Sequence, residues 1–203
     1  PRYRPWYAAA AAGPKDVVVV VDVSGSMSGT RIGMAKAAAK AVLETLTEAD
    51  FATVVVFSSS ADAYSSTLVR ATEANKASME NWININVVPG GSTSFNAALS
   101  KAKEVLNNGG GTGCNKAILF MSDGEPDAAP DTDALKADLD AIGNVRLMTY
   151  ALGDGAQGFT LDDVENTVVH IRSIPSNIEA ASTVTEIHNN ALVWERPFAA
   201  DDY

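Results

Sequence analysis

Asp22, Ser24 and Ser26 occupy alternate positions in the stretch "DVSGSMS", directly behind the valine run Val17–Val21. A buried strand has no use for a carboxylate in its interior, so an aspartate at the strand's end points to a site there. Two other segments offer the same chemistry. Thr93 lies in "GGSTSF" (90–95), and Asp123 follows the apolar run "AILFMS". The five donors are all oxygens, with no cysteine or histidine among them. Hard oxygen ligands in a small, near-octahedral set suit magnesium (Mg2+) or manganese (Mn2+), and calcium (Ca2+) less closely. Hydroxyl ligands are neutral, so the ion would keep much of its positive charge. An open coordination position could then accept an incoming carboxylate. The N-terminus of the helix after Gly29 adds partial positive charge that favours the same anion.

These segments must be brought together by the elements that carry them. "DVVVVVDV" (16–23) is β-branched and apolar throughout, as a strand covered on both faces should be. "TRIGMAKAAAKAVLETLTEAD" (30–50) spaces Ile32, Ala35, Ala39, Val42, Leu43 and Leu46 at helical intervals. Further strands are expected at 51–59, 116–124, 145–153 and 168–175. Helices are expected at 72–85, 95–108, 131–143, 160–167 and 179–192. This alternation implies an α/β fold, a doubly wound and mostly parallel central sheet with helices on both faces. Ligands of such sheets bind outside the carboxyl ends of the strands, where Asp22, Thr93 and Asp123 all fall.

The bulk properties are those of one globular domain: 203 residues, 46% hydrophobic, enough for a substantial core. Residues 1–16 read as a lead-in segment and 17–203 as the domain. A net charge of −10 leaves little to neutralise phosphates and argues against nucleic acid. No apolar run approaches the roughly 20 residues that span a bilayer, so direct membrane insertion by this segment is not expected. The chain starts at Pro1 and reads as part of something longer. A lone cysteine, Cys114, excludes an internal disulfide, and its plain reading is a small buried apolar residue. "NNGGGTG" (107–113) reads as a flexible helix-to-strand connection.

"DVSGSMS", Thr93 in "GGSTSFNAAL" and Asp123 in "MSDGEPD", in this order on this fold, resemble the metal-ion-dependent adhesion site of von Willebrand factor type A domains. The resemblance implies that Ser24, Ser26 and Thr93 act as direct or switchable metal ligands. It implies that Asp22 and Asp123 act mainly through water or through hydrogen bonds to the ligand shell. Ser122 stands where the family more often has threonine. Outside the site, "RPWY…GPKD", "VLETLTEADFATVVVF", "CNKAILFMSDG" and "ALVWERPF" are similar to this domain in calcium channel alpha-2-delta subunits and related proteins that join it to Cache domains. That likeness implies a non-enzymatic, cation-dependent protein-binding module in an extracellular or cell-surface protein. Its partner would supply a carboxylate to the metal, and neighbouring domains of the same chain would flank it. It also implies that Cys114 is as well suited to a disulfide with a distant segment as to a free thiol. The final helix, 179–192, would be the moving element of any conformational switch.

Other features carry less. "GDGAQG" (153–158) fits a dinucleotide fingerprint, but it follows a late strand and lacks the acidic strand end that should come after it. Phosphoryl transfer through an aspartate nucleophile is the alternative enzymatic reading. It wants a second acid two residues beyond Asp22, where Ser24 stands. His170 and His188 lack metal-ligand spacing. Glu125 and Asp127 either belong to a solvated, helix-capping loop or form a rim around the metal. Trp82 and Trp194 read as core or junction residues.

Overall fold

A computed structural model describes residues 13–123, 145–152 and 168–174, with backbone alone for Ala151 and for 168–174. Its elements run β1 (Asp16–Asp22), α1 (Thr30–Thr45), β2 (Phe51–Phe57), β3 (Ala61–Ala63), β4 (Val69–Arg70), α2 (Glu73–Asn86), α3 (Phe95–Asn108), β5 (Lys116–Ser122), β6 (Val145–Leu152) and β7 (Val168–Ile174). Among the described residues the strands form one sheet in the order β3-β2-β1-β5-β6-β7, with β4 also pairing with β2. β1, β2, β5, β6 and β7 are parallel to one another, while β3 and β4 run antiparallel to β2. The expected helices at 131–143, 160–167 and 179–192 and most of the lead-in segment lie outside the described residues.

The valine run explains why β1 is central. Val17, Val19 and Val21 belong to a core with Ala35, Ala39, Val42 and Leu43 of α1 and Met79 and Ile83 of α2. Val18 and Val20 point the other way, into a core with Phe95, Ala98, Leu99, Ala102 and Val105 of α3. Alternate side chains of a strand face opposite sides of a sheet, so an unbroken apolar run needs helices on both. Every residue from Asp16 to Asp22 is buried.

Strand order creates the place for a site. From β1 the chain passes to β2 on one side, and later returns to β5 on the other. β1 and β5 therefore flank a topological switch point, and their carboxyl ends open onto a crevice. The register pairs Val21 with Met121, which leaves Asp22 and Asp123 at the same edge.

Two expectations need correction. The 107–113 connection is pinned rather than flexible. Gly109 O accepts from Leu68 N (3.1 Å), Thr112 N and Thr112 Oγ1 donate to Asp16 Oδ1 (2.9 and 3.1 Å), and Gly113 N donates to Asp16 Oδ2 (2.7 Å). Asp16 is buried and would otherwise hold an unsatisfied charge, so it organises the glycine-rich turn around itself. Cys114 is exposed, not buried. It belongs to that polar turn, its N–H donating to Thr112 Oγ1 (3.1 Å), and precedes the first core-facing residue of β5.

Candidate metal centre

The site is assembled by three loops at the carboxyl edge. After Asp22 the chain leaves β1, and a single 3-10 turn, Gly25–Met27, carries it towards α1. The turn is anchored beneath by Met27, which is fully buried in the core. The Gly90–Ser94 loop is sewn to it by two backbone bonds, Gly90 N to Val23 O (2.7 Å) and Gly25 N to Gly91 O (3.0 Å). Thr93 sits in this loop and is buried. Two residues on, Phe95 packs edge-on against Phe57 of β2 and Phe120 of β5, with ring centroids 5.9 and 4.9 Å away. Ser94 caps α3 by accepting from Ala97 N, so the loop is fixed at both ends. Asp123 enters from the end of β5 and is buried at 3% exposure.

Asp22 is locked in place. Its Oδ1 accepts from Ser24 N (2.7 Å) and its Oδ2 from Ser122 Oγ (2.6 Å). Ser24 Oγ lies 3.0 Å from Ser26 Oγ, close enough for the two hydroxyls to share a hydrogen bond. Ser24 is buried and Ser26 exposed, so the hydroxyl pair runs from the interior to the surface. Burial raises the Asp22 carboxyl above the ordinary carboxylate range. The hydrogen bonds from Ser122 and Ser24 oppose that shift, and the negative charge of Asp123 adds to it.

Asp123 is satisfied on one side only. Its Oδ2 accepts from Arg31 Nη1 at 3.1 Å, whereas Oδ1 is buried with no hydrogen-bond partner among the described residues. The opposite edge of the sheet shows what a purely structural carboxylate looks like here. Asp50 accepts from Lys15 N (2.9 Å), Thr47 N (2.7 Å) and Thr47 Oγ1 (2.9 Å), and Asp16 is saturated as described above. An unpaired buried carboxylate oxygen costs stability, and a fold that satisfies its other buried acids leaves this one open. Oxygen donors gathered at the same sheet edge as such an atom suit a hard divalent cation.

The structure thus brings Asp22, Ser24, Ser26 and Asp123 to one edge, with Thr93 in the loop bonded to the same turn. Glu125 and Asp127 lie outside the described residues. Sequence reasoning missed Arg31 and undervalued Ser122. A signal for Arg31 was present: a cation in the first turn of a helix opposes the helix dipole and calls for a specific partner. The enzymatic alternative gains nothing from the geometry, since the residue two beyond Asp22 is a serine whose amide binds back to Asp22.

The von Willebrand factor type A domain model matches residues 17–125. Over 232 aligned residues the chain is 31% identical to the voltage-dependent calcium channel subunit alpha-2/delta-3 of Mus musculus, covering 99% of this chain and 21% of that subunit. The chain therefore spans about a fifth of this relative's length. A von Willebrand factor type A structure from Catenulispora acidiphila superposes with a TM-score of 0.72 at 20% identity, over 89% of this chain and 42% of the other. Proximal thread matrix protein 1 from the mussel byssus, in a structure with a zinc-occupied MIDAS motif, superposes with a TM-score of 0.67 at 18% identity, over 90% and 46% of the two chains. At these identities the structural likenesses speak for the fold.

Proposed function

Because the chain belongs to the von Willebrand factor type A domain family, we propose that it is a divalent-cation-dependent protein-binding module whose metal bridges to an acidic residue of a partner. The observation that carries this reading is Asp123 Oδ1, a buried carboxylate oxygen left without a partner among the described residues, beside a carboxylate and hydroxyls at the same sheet edge. Ser24, Ser26 and Thr93 would offer hydroxyl ligands. Asp22 and Asp123 would hold the ion through water or through the ligand shell. The bound ion supplies positive charge in a partly desolvated crevice, where a partner's carboxylate is the complementary group. Magnesium suits the donor set best, with calcium or manganese as the other candidates. Its resemblance to an alpha-2/delta subunit supports a place at the cell surface, within a longer protein with neighbouring domains, in a channel-accessory or adhesion role. Among the described residues no helix is long and apolar enough to cross a membrane.

The test is a calorimetric titration of magnesium, then calcium, into the chelator-stripped chain and its Ser24→Ala, Ser26→Ala variant. Saturable one-to-one binding is expected for the wild type. The variant should lose about 100-fold or more, beyond what outer-shell changes usually cost. Equal affinities for the two proteins would dismiss the proposed site.

A further inference from the structure

Arg31 is a cationic side chain bonded to the site, and it touches two parts of it with one nitrogen. Its Nη1 donates to Ser26 O at 3.0 Å and to Asp123 Oδ2 at 3.1 Å. The first contact holds the 3-10 turn, and the second holds the end of β5, 92 residues away in sequence. The guanidinium side chain is 33% exposed while the Asp123 side chain is 4% exposed. Arg31 therefore covers the buried acid from the solvent side. It does so from the first turn of α1, where neither an acidic residue nor a side-chain cap offsets the helix dipole. A cation placed there is offset by Asp123 and by the Ser26 carbonyl, which both face it.

We propose that Arg31 is a positioning residue that acts as the resident counter-ion of this site: it neutralises Asp123 through Oδ2, leaves Oδ1 for the divalent cation, and moderates the cation's affinity. The inference rests on the cation-binding reading above. With Asp22 and Asp123 ionised, Arg31 reduces the local charge from −2 to −1, and a divalent ion then takes it to +1. Without Arg31 the same ion would merely bring the site to zero. The arginine thus trades cation affinity for a loaded site that keeps a net positive charge, which is what the capture of an anionic side chain requires.

The experiment compares the full 203-residue chain with Arg31→Gln and Arg31→Lys by magnesium calorimetry and by thermal melts, in chelator and at saturating magnesium. Arg31→Gln should bind magnesium about fivefold more tightly, an effect sized for a partly exposed charge near the ion. It should also melt about 4 °C lower than wild type in chelator, because Asp123 is left uncompensated, with the deficit closing at saturating magnesium. Arg31→Lys keeps the charge and should stay within about twofold of the wild-type affinity. Weaker magnesium binding by Arg31→Gln, or a melting deficit that magnesium does not close, would make Arg31 a simple structural clamp and overturn the proposal. No magnesium or calcium binding by the wild type would instead defeat the proposed function. The chelator melts would then still decide whether Arg31 neutralises Asp123, and equal melting of Arg31→Gln and wild type would overturn it.

Discussion

Replacing Asp22 by asparagine is expected to stabilise the metal-free domain while weakening its cation binding. The Asp22 carboxyl is held above the ordinary range chiefly by burial, so its ionised form is less comfortable in the folded than in the unfolded chain. A carboxyl raised in this way binds its proton more readily when folded. It favours folding most when protonated, and that contribution is lost as pH rises through the raised value. Metal-free wild type should therefore lose stability as pH rises from the ordinary carboxylate range through the raised value, and Asp22→Asn should flatten that segment of the profile. Asparagine can still accept from Ser24 N, and the Ser122 hydroxyl can turn to accept from its amide. Cation affinity should fall by about 10- to 100-fold, the loss usual for a residue that holds the ion through its ligand shell. Thermal melts in chelator from about pH 3.5 to pH 8, paired with calorimetry, check both signs. A variant that melts lower than wild type at neutral pH would mark Asp22 as a structural residue.

The second large effect is expected far from the metal edge. Gly110 has φ +87°, and a Cβ there would run into the carbonyl oxygen of Leu68. Gly110→Ala combines left-handed strain with backbone overlap and should cost about 3 kcal/mol. Gly109→Ala is the control. Gly109 has φ +81° but open space around its Cβ position, so strain alone should cost about 1 kcal/mol. Urea denaturation with unchanged m-values would read the difference, and equal midpoints for the two variants would refute the steric argument.

Much of this architecture was legible because its signals are redundant. The valine run, the "FNAALSKAKEVLNN" helix and the "KAILFMS" strand announce themselves by composition and period, and the structure has them as β1, α3 and β5. β3 and β4 were not legible. They span Ala61–Ala63 and Val69–Arg70, too short for an alternation to register, and they exist because β2 offers an edge to pair with. The pinned glycine turn was hidden for a related reason. Glycines announce freedom, and the carboxylate that removes it, Asp16, lies 96 residues away in sequence. At the site, the donor types could be read from the chain, but the partner of Asp123 could not. Arg31 belongs to no motif, and only the fold reveals which carboxylate it meets.

The bond between Ser122 Oγ and Asp22 Oδ2 spans 100 residues of sequence. Neither the pair of carboxylates nor the crevice between them can exist until β5 has docked beside β1, a contact of high order whose loop-closure entropy must be met first. A cation that recognises this edge therefore has nothing to hold in a half-folded chain. It should leave the folding rate nearly unchanged and slow unfolding instead, because its stabilisation arrives after the transition barrier. Ion occupancy would then act as a kinetic lock, and a domain carrying its ion would be one whose central strands had already closed.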